Sequence, residues 1–119
     1  MNANSTYLEL SKIENLSSFI NPEKLQILMS SYLEDSQNIL NKLAAVIADN
    51  NVQETTRLVH SLKSTSANVG ALKFSELARH LEELARAQRL DEVQTQLDEL
   101  IVLFAYTRTS IEQLDFMKN

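Results

Sequence analysis

The chain has no cysteine, no tryptophan, one glycine and one proline among its 119 residues. Without cysteine there is no disulfide scaffold, no thiolate metal site and no thiol nucleophile, which suits a reducing compartment. With Gly70 and Pro22 as the only strong breakers, and Leu, Ala, Glu, Gln and Lys plentiful, the composition favours helices throughout. No apolar run approaches the roughly 20 residues of a membrane span, and no secretory leader is visible, so membrane insertion is not expected and a cytoplasmic placement is. Basic residues are also in the minority: 11 Lys and Arg stand against 16 Asp and Glu, for a formal charge of −5. Such a chain is poorly suited to binding nucleic acid through its phosphates, which leaves other proteins as the expected partners.

What is present is ordinary for one globular domain: 44% hydrophobic and 23% charged residues, in a length that supports one core. Residues 1–6 are polar and aperiodic and read as a flexible tail or an expression remnant, with a single domain over 7–119. Leu8, Ile13, Leu16, Phe19 and Ile20 suggest a short amphipathic helix over 7–20. Asn21-Pro22-Glu23 then marks a helix start, with a side-chain acceptor, a residue needing no donor, and an acid at the positive end of the dipole. Its stripe runs Leu25, Leu28, Met29, Tyr32, Ile39, Leu40, Leu43 and Ile47, with Ser36 the one polar residue in the row.

Asn51 with Glu54 resembles a capping box and opens a helix whose inner side is Val52, Thr55, Leu58, Val59, Leu62, Ser66 and Val69. Gly70 is the natural left-handed stop. A further helix over 72–88 carries Phe74, Leu77, Ala78, Leu81, Leu84 and Ala85. The last is expected to be capped by Asp91, with Gln94 three positions on, and carries Val93, Leu97, Leu100, Ile101, Phe104, Ile111 and Leu114. Short turns between long amphipathic helices make antiparallel neighbours. The predicted fold is all-α: an antiparallel up-and-down four-helix bundle with a short extra N-terminal helix. Each helix has a single apolar stripe, which one core would consume, so a monomer is expected.

On a helical wheel His60 lies roughly 140° from the centre of its helix's apolar stripe and should face solvent. Gln53, Thr56, Arg57, Lys63, Ser64 and Ala67 share that face. Ser64 and Ala67 are small and leave a shelf on which another protein could settle. Lys63, one turn on, would oppose protonation of the free imidazole and stabilise an anion once attached to it. A carrier of phosphate needs that difference: a neutral nucleophile before transfer, a paired anion after.

The segment His60-Ser61-Leu62-Lys63-Ser64-Thr65-Ser66-Ala67-Asn68-Val69-Gly70-Ala71 resembles the signature of histidine-containing phosphotransfer (HPt) domains, the relay modules of multistep two-component signalling. That pattern is roughly His-x-x-Lys, then Gly or Ser, then small residues, closed by Gly about ten positions after the His. The resemblance implies that His60 is phosphorylated, that Lys63 is the accompanying lysine and that Gly70 closes the motif structurally. It also implies a bacterial setting. The implied partners are response-regulator receiver domains and the receiver of a hybrid sensor kinase, which bring Mg²⁺; no cofactor or metal is expected on this chain. Gln53, Thr56, Arg57 and Ala67 become docking residues, and Ser64, Glu82 and Arg86 accessory to the phosphate. Two positions depart from the commonest pattern. Ser64 replaces a Gly. Glu82 stands where some members place a Gln that holds the imidazole; it is expected either to orient His60 or to be a solvated carboxylate paired with Arg79 or Arg86.

Three other readings compete. His60 and His80 alone give no His-x-x-x-His or Glu-x-x-His pattern for a metal centre, and His80, bordering its stripe, is expected to be partly buried. A dimerising kinase histidine domain would carry an acid directly after the His, where Ser61 stands. A helical adaptor that docks or sequesters a receiver without phosphate chemistry fits the periodicity equally well. No phosphate loop or kinase motif set is present, so no ATP-dependent activity is expected.

Overall fold

A computed structural model describes residues 4–118. Its elements are α1 (Asn4–Tyr7), α2 (Leu10–Ser17), α3 (Pro22–Ala48), α4 (Val52–Asn68), α5 (Leu72–Arg86), α6 (Leu90–Glu112) and a 3₁₀ turn (Asp115–Met117). The last four helices form the antiparallel bundle, with α4 packed most extensively on α5. The 42 Å long dimension is set by α3, whose 27 residues span about 40 Å at 1.5 Å each.

Helix starts follow local chemistry. The Asn21 side chain accepts the Lys24 N–H at 2.8 Å, and Asn51 accepts that of Glu54 at 3.0 Å. All three turns between bundle helices close in one way. Residue C′ is left-handed and its N–H, with that of the next residue, returns to the last helical carbonyls. Gly70 (φ 81°) does this after α4, Asn50 (φ 56°) after α3 and Gln88 (φ 63°) after α5. The single glycine thus stands where a side chain would be strained and crowded: a Cβ on Gly70 would stand 3.1 Å from the Glu9 carbonyl and 3.2 Å from Ile13 Cγ1.

The core is the joined stripes: Leu25, Met29, Leu43, Val59, Leu62, Phe74, Leu81, Val93, Leu100 and Ile111 are all buried. Several expectations shift at the edges. The leading helix over 7–20 is two short helices, because the Glu9 N–H bonds the Gly70 carbonyl at 2.7 Å and leaves the helical ladder there. Asn4 to Thr6, expected in the tail, belong to α1; residues 1–3 of that tail lie outside the described residues. Phe19 is not in a stripe but 82% exposed, since α2 stops at Ser17 with the Ser17 and Ser18 hydroxyls on the Glu14 and Asn15 carbonyls. Leu28 and Ile101 are exposed as well, at the margins of their stripes, while Leu33 is buried. Asp91 does not cap α6, which starts at Leu90, two residues earlier than that cap would place it, with Arg89 as its cap residue. Leu114 lies beyond α6 and is half-buried. No described helix is long and apolar enough to cross a membrane.

Candidate phosphotransfer site

Two hydroxyls tie the site to the core. Ser75 on α5 donates to the Lys63 carbonyl on α4 at 3.0 Å, and Ser66 on the inner side of α4 bonds the Tyr32 hydroxyl on α3 at 2.7 Å. Burial pushes the Tyr32 hydroxyl up to about 12, against the opposing bonds from Ser66 and Ser36, so it stays protonated. With Leu58, Val59 and Leu62 buried, α4 cannot roll, and His60 is left on the outer face with half of its side chain exposed. On α5, Glu82 follows Ser75 by two turns and therefore shares its α4-facing side.

Glu82 is the centre of the site. Its side chain is 6% exposed and receives three partners. His60 Nδ1 lies 2.8 Å from Oε2, Lys63 Nζ 2.8 Å from Oε1, and Arg86 donates to Oε2 at 2.6 Å. Burial pushes this carboxyl up, but hydrogen bonds from Lys63, Arg86 and His60 together outweigh it and hold the group at about 2. An ionised carboxylate only accepts, so the proton of a neutral His60 ring sits on Nδ1 and the lone pair on Nε2. The Ser64 hydroxyl is 3.5 Å from Nε2, a weak bond at most, which leaves that lone pair available to an incoming group.

The site residues expected from sequence divide in two. His60, Lys63, Glu82 and Arg86 form one bonded cluster, with Ser64 at its edge. Glu82 is not the solvated carboxylate of the alternative expectation, and Arg79 pairs with Glu83 instead. Lys63 rests on Glu82 rather than over the ring. Gln53, Arg57 and Ala67 are exposed on the same face, and Thr56 is half-buried with its hydroxyl on the Val52 carbonyl. Arg57 is held by both oxygens of Glu54. His80 is exposed, not partly buried, because its neighbour Leu81 takes the inward position. Sequence reasoning missed Ser75 as a site support. Its only signal is a hydroxyl two turns before Glu82.

Comparisons with known proteins give the family and the fold. The Hpt domain profile matches residues 27–115, most of the chain. The chain belongs to the Hpt family. This Hpt domain is a histidine phosphotransfer module of a phosphorelay, a carrier and not a kinase, which decides against the kinase histidine domain. It is 27% identical over 105 residues to the phosphorelay protein LuxU of Vibrio harveyi, covering 88% of this chain and 92% of that one. Its fold aligns with the crystal structure of histidine-containing phosphotransfer protein B from Pseudomonas aeruginosa PAO1 at a TM-score of 0.86 and 24% identity, over 95% and 96% of the two chains. A rice protein of 19% identity aligns at 0.81, over 94% of this chain and 81% of its own.

The Glu82 cluster also has a stability consequence. A carboxylate held at about 2 when folded, against an ordinary value near 4.3 when unfolded, stabilises the fold fully above the ordinary range. That stability is lost as pH falls through the folded value. With His60 and Arg86 half or more exposed, the contribution is taken at the low end, about 2 kcal/mol. The expected result is that wild type exceeds Glu82→Gln in denaturant stability at neutral pH and that the gap closes towards about pH 2. A gap independent of pH would show that packing, not charge, accounts for it.

Proposed function

We propose that His60 is the phosphorylated residue, taking a phosphoryl group from the Asp of one receiver domain and giving it to the Asp of another. The observation that carries this is the free Nε2 of a half-exposed ring whose Nδ1 is held 2.8 Å from a buried carboxylate. The lone pair attacks phosphorus in line, the bond from phosphorus to the Asp oxygen breaks, and the carboxylate leaves with the electron pair. Lys63 and Arg86 outnumber Glu82, so the site is cationic before transfer and suits the incoming dianion. Lys63, whose side chain is partly exposed, can turn from Glu82 to the phosphoryl group while Arg86 stays. A Mg²⁺ ion held by the receiver would neutralise charge on the transferring group.

The docking surface is the exposed face of α4 around the ring: Gln53, Thr56, Arg57, Ser64 and Ala67, with small residues at the centre and charge at the rim. The partners are response-regulator receivers and the receiver of a hybrid sensor kinase. The module works as a monomer in the cytoplasm. The test is incubation with a panel of pre-phosphorylated receivers and Mg²⁺, read by intact mass under alkaline conditions where phosphohistidine survives. One added phosphate from at least one receiver is expected. Docking without transfer from any of them would sink the relay reading.

A further inference from the structure

An amide and a carboxylate beside a histidine ring do different work. A glutamine can accept from a protonated Nδ1 through its oxygen, or donate to a bare Nδ1 through its nitrogen. It holds the ring but does not choose its protonation. Glu82, held ionised among Lys63, Arg86 and His60, can only accept.

The difference matters most after transfer. When Nε2 has taken the phosphoryl group, the ring carries a proton on Nδ1 and phosphorus on Nε2, and is a cation. In water that proton dissociates readily and leaves a neutral phospho-ring. For the group to move on, the Nε2–P bond must break with its electron pair returning to Nε2. If Nδ1 still carries its proton, the ring departs as neutral imidazole. If it does not, the ring must depart as an imidazolate anion, a far poorer leaving group.

We infer that Glu82 is a positioning residue for this second step: its carboxylate, 2.8 Å from Nδ1, keeps that nitrogen protonated in the phosphorylated ring, so that His60 leaves as neutral imidazole. The inference rests on His60 being the phosphorylated residue. The other charges near the ring do not replace Glu82. On α4, Arg57 is held by Glu54, which also feels Lys42 of α3, and Lys63 is a cation that opposes ring protonation. On α5, Arg86 is likewise a cation, and the nearby Glu83 is engaged by Arg79. Glu82 is the one carboxylate bonded to the ring among the described residues.

The experiment loads phosphate onto the full chain with phosphoramidate, so that no receiver is needed, in wild type and in Glu82→Gln. The phosphorylated residue is located by peptide mass, Nδ1 protonation is followed by ¹⁵N NMR against pH, and phosphate loss is timed across the same range. The wild-type ring should keep its Nδ1 proton to a pH at least about one unit higher than the variant. At neutral pH wild type should therefore lose phosphate, to water or to an added unphosphorylated receiver, about tenfold faster. Coincident pH profiles would overturn the inference while leaving His60 as the carrier. A bare Nδ1 in phosphorylated wild type at neutral pH would do so without reference to the variant, even if Glu82→Gln folds poorly. Phosphate found on another residue would overturn the inference together with the reading beneath it.

Discussion

Replacing His60 with glutamine is expected to abolish phosphoryl acceptance from every receiver while leaving the bundle intact. The two halves of that result have separate causes. Acceptance is lost because an amide has no nitrogen lone pair able to attack phosphorus, and the neighbours of His60 cannot substitute. Lys63 and Arg86 are cations engaged by Glu82, and the Ser64 hydroxyl lacks a base. The fold survives because the ring contributes no core surface. It stands on the outer face of α4, and Glu82 keeps Lys63 and Arg86 when it is gone. A change in melting stability within about 0.5 kcal/mol is therefore expected. Intact mass after incubation with phosphorylated receivers checks the first half and a thermal melt the second. Phosphate retained on the variant would move the assignment to His80, the one other histidine, which is also exposed.

Gly70→Ala is expected to be the most costly small change in the chain, at about 2–3 kcal/mol, or a melting temperature lowered by roughly 10 °C. Two penalties add. The backbone at φ 81° is a conformation that costs an L-residue about 1 kcal/mol or more. The new methyl group would then press on the Glu9 carbonyl, Ile13 Cγ1 and the Lys12 Cβ, all within 3.3 Å. The first of these is backbone and is itself bonded into the turn, since the Glu9 N–H donates to the Gly70 carbonyl at 2.7 Å. It cannot yield without moving α2. A calorimetric melt decides the matter. A loss below about 0.5 kcal/mol would mean that α2 moves aside freely and that the α4–α5 turn is not pinned from outside.

The functional effect of that variant should be smaller than the loss of stability. His60 and Glu82 lie on either side of the turn, yet Ser75 and the Lys63 carbonyl hold their helices together independently. The turn sets the relative register of α4 and α5, and the hydroxyl contact maintains it.

Much of this was open to reading from the residue order, for reasons that are local. Helix starts at Asn21 and Asn51 are side-chain chemistry within three residues, and the stripes of α3 to α6 follow from a period of 3.6. The exposure of His60 follows from the same period, because Leu58, Val59 and Leu62 around it claim the interior. Some exceptions are marginal positions within helices, Leu28, His80 and Ile101, and the larger ones lie where the chain leaves its own helix. Phe19 falls outside a stripe once two serine hydroxyls end α2, and Glu9 breaks the leading helix by bonding a turn some sixty residues away. Gln88 takes a left-handed turn that its residue type does not announce.

Residue spacing alone specifies the amphipathic helices, the exposed histidine and the lysine one turn from it, because each depends on periodicity within a single helix. Tertiary structure alone decided what Glu82 is. On its own helix it is a carboxylate with arginines within reach on either side and two possible roles. Only the packing of α5 against α4 buries it, brings His60 Nδ1 and Lys63 Nζ to its two oxygens, and so makes its charge part of the imidazole's chemistry. Contacts between residues 22 apart are set by how two helices meet, which no periodicity along one of them contains.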